Sequence, residues 1–219
     1  MKKQISRFLR ILISLTFYVT CIPGFSQNII ILPPPHMDGG MPLMKALKNR
    51  QTSREFMDKK LSEQQLADLL WAACGINRPD VKKRTAPSAM NYQEIDVYIS
   101  TAQGLYLYNP EKNNLTEILK DDIRDKTGIQ EFVKTAPVNL IFVADYSRMT
   151  KSDEKTKETY AMADAAFISE NVYLFCASEG FATGVRAGID KEMLGKIMKL
   201  NPNQHIMLGQ AVGFPISSR

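Results

Sequence analysis

Residues 84–100 read RTAPSAMNYQEIDVYIS, a small polar loop that continues without a break into an alternating strand. Pro87 has no backbone N–H to donate, and Ser88 and Ala89 carry little bulk, so the main chain here can lie close against a flat ligand. Asn91 adds an amide group that can donate and accept hydrogen bonds. The loop therefore predicts one wall of a site for a planar molecule, although the same residues also fit an ordinary turn.

Strand patterns follow this loop along the chain. Residues 95–100 alternate between apolar and other side chains, the period of a strand with one buried face, and residues 104–108 fit the second strand of a hairpin. Residues 136–144, APVNLIFVA, predict a central strand because they are almost continuously apolar. Residues 205–214 predict a last strand.

Helical patterns fill much of the rest. Residues 60–73 repeat apolar side chains at helical spacing, and Ser62 with Gln65 predicts a capping box at the start. Residues 160–179 predict the longest helix, whose several apolar faces favour either a fully buried helix or a second face that meets another subunit. A polar surface loop is predicted at 147–159. Shorter helices are predicted at 42–49, 114–125, 128–134 and 191–198.

The first 27 residues have the pattern of an export signal. Four basic residues precede the largely apolar residues 11–21, a run shorter than the roughly 20 residues that a membrane-spanning helix needs. We expect residues 1–27 to be removed and the protein to be exported to the periplasm. An uncleaved membrane anchor is the alternative interpretation.

The rest of the chain is nearly neutral. Residues 1–27 hold four of the 28 basic residues and none of the 23 acidic ones, so the remainder carries a net charge of +1. Nucleic-acid binding, which calls for a basic face, is not indicated. Cys74 and Cys176 have apolar neighbours, which favours buried free thiols over a disulfide. The two histidines are far apart, so the sequence gives little support for a metal site.

Residues 28–42 predict an extended N-terminal arm. The stretch NIIILPPPHMDGGM contains three consecutive prolines and a glycine pair, which favour polyproline geometry and then a free turn. We expect this arm to lie on a neighbouring surface or subunit and not to join the core. Residues 43–219 then form one domain, long enough to bury a sizeable core.

A second polar cluster lies at residues 50–54, RQTSR. Arg50 and Arg54 flank hydroxyl residues, and an arginine fork beside a short hydroxyl donor suits a phosphate group. The same spacing also fits a solvated helix end in which Arg54 pairs with Asp58. The residues alone leave both interpretations open.

The order of these segments resembles the FMN-dependent nitroreductase family: RQTSR, then APSAMNYQ, then a long apolar helix that ends in GFATG. The resemblance implies an α+β fold with a mainly antiparallel central sheet surrounded by helices. It also implies a homodimer with one FMN at each subunit interface. The APSA beginning of the loop is similar to the subgroup that contains the thiazoline and oxazoline dehydrogenases.

Three groups of residues correspond to flavin-binding positions of that family. The first would hold the phosphate and the pyrimidine side of FMN: Arg50, Gln51, Thr52 and Arg54. The second would line the flavin: Pro87, Ser88, Ala89, Met90 and Asn91. The third would place the backbone of two residues at flavin N5 and a terminal arginine at the phosphate: Ala187, Gly188 and Arg219. The resemblance assigns no catalytic side chain, and Glu94 stands where many relatives have proline.

By this resemblance the chain is an FMN-dependent oxidoreductase with a ping-pong mechanism. NAD(P)H or another donor would reduce the flavin, and the acceptor would be a small electron-poor molecule such as a nitroaromatic or a quinone, or the enzyme would dehydrogenate a small ring. The alternative is an exported flavin-binding or interaction protein of the same fold without turnover, because NAD(P)H is scarce outside the cytoplasm. A domain with no ligand is a third interpretation, since each motif is weak alone.

Overall fold

The structure, a computed structural model, describes residues 28–216. The predicted export signal and Arg219 lie outside the described residues. The helices are α1 (Leu43–Asn49), α2 (Glu63–Cys74), α3 (Glu154–Glu179) and α4 (Lys191–Ile197). The strands are β1 (Ile29–Ile31), β2 (Ile76–Arg78), β3 (Lys83–Arg84), β4 (Ile95–Thr101), β5 (Gly104–Asn109), β6 (Asn114–Leu119), β7 (Val138–Asp145), β8 (Ala182–Arg186) and β9 (Gln204–Gly213).

Seven strands form one sheet in the order β1-β6-β5-β4-β7-β9-β8, and every neighbouring pair is antiparallel. Strands β2 and β3 form a separate two-stranded ribbon. The predicted hairpin is β4 and β5, and the predicted central strand is β7, which lies between β4 and β9. The α+β fold with a mainly antiparallel sheet is therefore confirmed.

The sheet is covered on both faces, which explains the nearly continuous apolar sequence of β7. Leu140 and Phe142 point into the larger core with residues of α2 and α3. Ile141 and Val143 point to the opposite face, where Leu194 of α4 belongs to a second core. The long helix α3 consequently lies along one face of the sheet.

The helix caps follow from the sequence. Ser62 and Gln65 form the predicted capping box at the start of α2. Asp153 caps α3, accepting a hydrogen bond from the Thr156 backbone N–H, so this helix begins earlier than predicted. Residues 154–159 form a solvent-facing helical turn, which explains why they are mostly charged and polar. The prediction of a loop there was wrong.

Two predicted helices are also wrong. Residues 114–119 form β6, which pairs with β5 on one side and with β1 on the other. The hydrogen bonds that decide this come from segments distant in sequence, so local periodicity did not indicate them. Residues 128–134 contain only a short 3₁₀ helix, Glu131–Lys134.

The N-terminal arm packs on its own chain. Strand β1 adds an edge to the sheet, and Leu32 is buried in the larger core, contrary to the expectation that the arm stays out of the core. Beyond the prolines, His36 contacts Asp68 of α2 through both its backbone N–H and its ring. The Met41 N–H donates to the Ser178 hydroxyl at the end of α3. The arm therefore crosses from the sheet edge to the end of the long helix.

Both cysteines of the described residues, Cys74 and Cys176, are buried free thiols. Burial raises the pKa of Cys74 to about 11, so this thiol stays protonated. Among residues 28–216, no helix has the length and apolar character needed to cross a membrane.

Candidate functional site

The largest cavity found among the described residues lies beside the predicted phosphate-binding segment and has a volume of about 1090 Å³. Its wall is formed by the end of α1 with the segment that follows, the C-terminal end of α3, the start of β8 and residues 214–216. Lys48 and Arg50 supply positive charge, and Gln51 and Ser53 supply polar groups. The cavity combines a cationic side with the volume of a cofactor-sized ligand.

The opposite side of this cavity is apolar and aromatic. Phe181 and Phe214 both line it, with ring centres 5.2 Å apart in an edge-to-face arrangement. The ammonium group of Lys59 lies 4.2 Å from the centre of the Phe214 ring. One end of the cavity therefore suits an anion and another suits an apolar or aromatic group.

Residues 50–54 are held against β8 and α3. The Ser53 N–H donates to the Thr183 carbonyl at 2.8 Å, and the Arg50 guanidinium lies 5.2 Å from the centre of the Tyr173 ring. A Cβ on Gly184 would lie only 3.1 Å from the Ser53 carbonyl oxygen, so the glycine permits this close approach. The segment is thus fixed by the structure and is not a loose helix end.

Arg54 does not form the ion pair that the competing interpretation required. No ion pair between Arg54 and Asp58 is present in the described structure. The pKa of the nearby Arg124 is raised mainly by its hydrogen bond to the Asp122 carboxylate, with a smaller contribution from the charge of Asp58. Arg54 and Thr52 are both exposed, and neither lines the large cavity directly.

The second predicted group lies elsewhere in the chain, around the loop before β4. Ala89–Asn91 form a short 3₁₀ turn in which Met90 has φ 50°, and Asn91 and Gln93 follow with φ 56° and 51°. This left-handed conformation is strained for a residue such as methionine. Met90 is also 60% exposed, so the turn presents its tip outward.

The loop rests on two buried carboxyl groups. The Ala89 N–H donates to Asp164 Oδ2 at 2.8 Å, and the Ser88 hydroxyl donates to Glu94 Oε2 at 3.2 Å. The Ser88 oxygen in turn accepts from the Gln93 N–H at 2.8 Å. Burial, aided by the neighbouring Asp164 charge, raises the pKa of Glu94 to about 7.

The third group follows β8. Arg186, the last residue of that strand, is buried and bonds to the Thr127 carbonyl and to Asn139 Oδ1. Burial without a carboxylate partner lowers the pKa of Arg186 to about 10. Ala187 and Gly188 come next, and a Cβ on Gly188 would lie 2.8 Å from Gln130 Nε2. The Gly188 carbonyl accepts a hydrogen bond from the Ile129 N–H at 3.1 Å, so the backbone is fixed at Gly188.

A single chain does not bring these groups into one cavity. The large cavity reaches Cys176 on α3, whereas Asp164 holds the loop at residues 87–91. Twelve residues of helix separate these two positions, which is roughly 18 Å at about 1.5 Å per residue. Neither this cavity nor the small cavity at the loop has both Arg50 and Asn91 on its wall.

Sequence reasoning missed three residues that organise the site. Tyr173 lies in the apolar pattern of α3 and was taken as part of that pattern only. Asp164 could have been found from the sequence, because it is a charged residue on the apolar face of a predicted helix and such a residue needs a partner when buried. Glu94 was noted as a departure from proline, but its burial depends on α3 and could not be read locally.

The family model described as "Nitroreductase family" matches residues 47–214. A crystal structure of a provisionally named nitroreductase from Ralstonia eutropha JMP134 is 41% identical, covers 89% of this chain and 92% of that one, and has a TM-score of 0.83. A Methanocaldococcus jannaschii protein, also provisionally named a nitroreductase, is 28% identical over 169 residues, 72% of this chain and 84% of its own length.

More distant structures share the fold. A chain of the E. coli microcin synthetase complex is 18% identical with a TM-score of 0.66, covering 85% of this chain and 78% of that chain. An NADPH:FMN oxidoreductase from Vibrio harveyi, complexed with NAD⁺, is 16% identical with a TM-score of 0.61, covering 80% and 70%. The family match extends from α1 to the last residues of the sheet, and with the 41% identical structure it confirms the resemblance. This chain belongs to the nitroreductase family.

Proposed function

We propose that this protein is an FMN-dependent oxidoreductase that binds the phosphate end of FMN in the cavity beside Arg50. The observation that carries the proposal is the combination, in a nitroreductase family member, of a 1090 Å³ cavity with the cations Lys48 and Arg50 on its wall. Arginine and lysine are the side chains that proteins use to hold phosphate groups.

The residues around the cavity fit FMN. A phosphate group needs cations and short donors, which Lys48, Arg50 and Ser53 provide, and the Gln51 amide adds a further donor. The aromatic pair Phe181 and Phe214 offers apolar surface next to them. Arg54 and Thr52 lie on the same segment, and we propose that they contact the ribityl chain or the pyrimidine edge.

We propose that a second copy of the chain completes the site. The loop at residues 87–91 lies roughly 18 Å from the cavity along α3 of the same chain, because twelve residues at about 1.5 Å each separate their anchor points. The loop of one subunit would instead cover a flavin that is held by the other subunit. Ala187 and Gly188 would then present their backbone N–H groups to flavin N5.

The outer face of α3 supports this dimer. Met162 and Phe167 are 36% and 48% exposed, and Ala163 and Ala166 are exposed between them. Small and large apolar side chains on one helix face form a surface that water solvates poorly, and a symmetric partner would cover it. The proposed dimer therefore rests on the interpretation of the long helix in which its second face meets a partner.

The chemistry follows from the cofactor and the donors around it. FMN held at this site would supply the redox chemistry, which is hydride transfer from NAD(P)H or another donor to a small electron-poor acceptor such as a nitroaromatic or a quinone. The protein positions the ring, excludes water and offers backbone N–H groups to the developing negative charge. The described residues place no acidic side chain on the wall of the large cavity, which is consistent with a role confined to binding and orientation.

A second candidate is a flavin-binding protein without turnover. The observation that favours it is the basic and apolar start of the sequence, from which we propose export to the periplasm. Reduced pyridine nucleotides are scarce there, so another donor would be needed for turnover.

Anaerobic reduction separates the two candidates. Purified protein is loaded with FMN and mixed with NADH or NADPH while the flavin absorbance is followed. The oxidoreductase is supported if the flavin absorbance is lost after mixing with NADH or NADPH and returns when a quinone is added. The flavin-binding protein without turnover is supported if FMN binds tightly but NADH and NADPH do not bleach it. In that case redox mediators set to physiological potentials with dithionite should also leave the flavin oxidised.

Charge variants test the location of the phosphate. Lys48→Ala should weaken FMN binding several-fold, whereas Lys45→Ala, on the same helix but outside the cavity, should not. Equal effects of the two substitutions would place the phosphate elsewhere.

A further inference from the structure

Glu94 and Asp164 form a buried pair of carboxyl groups that the proposed redox chemistry does not use. Glu94 is 0% exposed and Asp164 is 2% exposed. They come from the segment before β4 and from α3, they contact each other, and they line one small cavity with Ser88. Two negative charges in contact without water are strongly unfavourable, so the pair is more stable when it keeps one proton.

The hydrogen bonds show where that proton belongs. Asp164 Oδ2 accepts from the Ala89 N–H, which suits a charged carboxylate. Glu94 Oε2 accepts from the Ser88 hydroxyl, while Glu94 Oε1 is buried and has no hydrogen-bond partner within residues 28–216. A proton on Glu94 makes it a donor to Asp164 and satisfies the pair.

The same two carboxyl groups hold a strained loop. Met90, Asn91 and Gln93 have φ angles of 50°, 56° and 51°. Such left-handed conformations are unfavourable for residues other than glycine and persist only where the surroundings fix them. Asp164 fixes the start of the turn through Ala89, and Glu94 fixes both ends through Ser88, which in turn accepts from Gln93.

Two arginines lie near the pair, and only one of them, Arg148, is held in an ion pair with another carboxylate. Arg84 of β3 lines the small cavity, and its Nη1 donates to the Ile95 carbonyl. Arg148 donates to the Gln93 carbonyl at 2.9 Å and forms an ion pair with Asp96. Tyr146, which senses the Glu94 charge, has a pKa raised by burial and stays neutral. Arg84 forms no ion pair within residues 28–216, so its charge can balance one of the two carboxylates, and a proton on the other removes the second negative charge.

We propose that Glu94 and Asp164 are positioning residues that share one proton and thereby clamp residues 88–93 in the shape that contacts the flavin ring. This inference rests on the proposed function for the identity of the ligand, whereas the clamp itself rests on the hydrogen bonds above. Because burial and the Asp164 charge raise the pKa of Glu94 to about 7, the proton is lost as the pH rises through neutrality. Two adjacent carboxylates then repel and the loop loosens.

The first test measures FMN affinity between pH 5.5 and pH 9 by fluorescence titration of the full chain. Wild-type affinity should fall above about pH 7 with a limiting slope of about tenfold per pH unit, as loss of one linked proton requires. Glu94→Gln keeps an amide donor toward Asp164 and should remove this slope. Glu192→Gln, an exposed carboxylate of α4, should keep the wild-type slope.

A second readout does not depend on FMN. Hydrogen exchange of residues 88–93, corrected for the intrinsic pH dependence, should show protection that falls between pH 6 and pH 8.5 in the wild type. In Glu94→Gln the amides of residues 88–93 should stay protected across the whole pH range. Unchanged wild-type protection across this range, or the same loss in Glu94→Gln, would overturn the clamp.

The two tests keep the inferences apart. A protein that loses loop protection with pH but takes up no FMN would retain the clamp and refute the proposed cofactor. A protein that binds FMN with the same affinity at all these pH values would retain the cofactor and refute the shared proton.

Discussion

Tyr173 and Thr52 join α3 to the predicted phosphate-binding segment through a hydrogen bond of 2.9 Å between their hydroxyl groups. The Val185 N–H donates to the same Tyr173 oxygen at 3.0 Å. Since that oxygen already accepts from a backbone N–H, the tyrosine proton can point to Thr52. The Thr52 hydroxyl hydrogen then remains available for a ligand, beside the Arg50 guanidinium that stacks on the Tyr173 ring.

Tyr173→Phe should therefore weaken FMN binding about five- to tenfold, the size expected from one lost hydrogen bond of about 1 kcal/mol. The ring that supports Arg50 is kept, so the fold should be maintained. Fluorescence titration with FMN and with riboflavin measures the effect. The loss should be similar for the two ligands, because FMN and riboflavin share the ribityl chain and the pyrimidine edge that Thr52 is proposed to contact.

Tyr98→Phe is the matched control, because Tyr98 is also buried but belongs to the core on the α4 face of the sheet. It should leave both affinities unchanged. Unchanged affinities for FMN and riboflavin in Tyr173→Phe would mean that its hydroxyl does not position Thr52 for the ligand.

The Glu94 carboxyl predicts a pH dependence of stability. Its pKa in the folded state is raised from 4.5 to about 7. Between these pH values the folded state binds more protons than the unfolded state. The free energy of unfolding therefore falls as the pH rises from about 4.5 to about 7. Above about pH 7 the contribution of Glu94 no longer changes with pH. The limiting slope is about 1.4 kcal/mol per pH unit.

Urea denaturation of wild type and Glu94→Gln at pH 5, 6, 7 and 8.5 checks this. The unfolding free energy of the wild type should fall relative to that of Glu94→Gln as the pH rises to about 7. Above that pH the difference between the two proteins should stay constant. A difference that does not change with pH would show that Glu94 titrates normally.

The secondary structure could be predicted where local chemistry decides it. The capping box at Ser62 and Gln65, the hairpin of β4 and β5, and the apolar strand β7 each follow from a short stretch of sequence. Strand β6 could not be predicted in this way, because Asn114–Leu119 is a strand only through its pairing with β5 and β1. The start of α3 was missed because a charged helical turn and a charged loop have the same composition.

The site could be predicted in its parts but not in its arrangement. The sequence indicated Arg50 as a phosphate ligand, and the structure places it on the largest cavity. It indicated the loop at residues 87–91 as well, but only the coordinates show that α3 separates this loop from Arg50. Likewise, the contact between Glu94 and Asp164 depends on how α3 packs on the sheet, and no local pattern contains that information.

The proposed dimer predicts an effect of charge on the outer face of α3. Phe167 is 48% exposed there, and a glutamate at this position would bury an unpaired charge in the interface. Phe167→Glu should convert a dimer into a monomer in analytical ultracentrifugation at micromolar concentration, and FMN affinity should fall with it. Lys112→Glu, in the turn between β5 and β6, should stay dimeric. A wild-type protein that sediments as a monomer would refute the shared site.

The most direct test of the central claim is an FMN titration of the purified protein, monitored by absorbance and by ultracentrifugation. The account predicts a yellow protein that binds one FMN per chain as a dimer, with binding weakened by Lys48→Ala and unchanged by Lys45→Ala. A colourless protein that takes up no FMN after unfolding and refolding in its presence would contradict it.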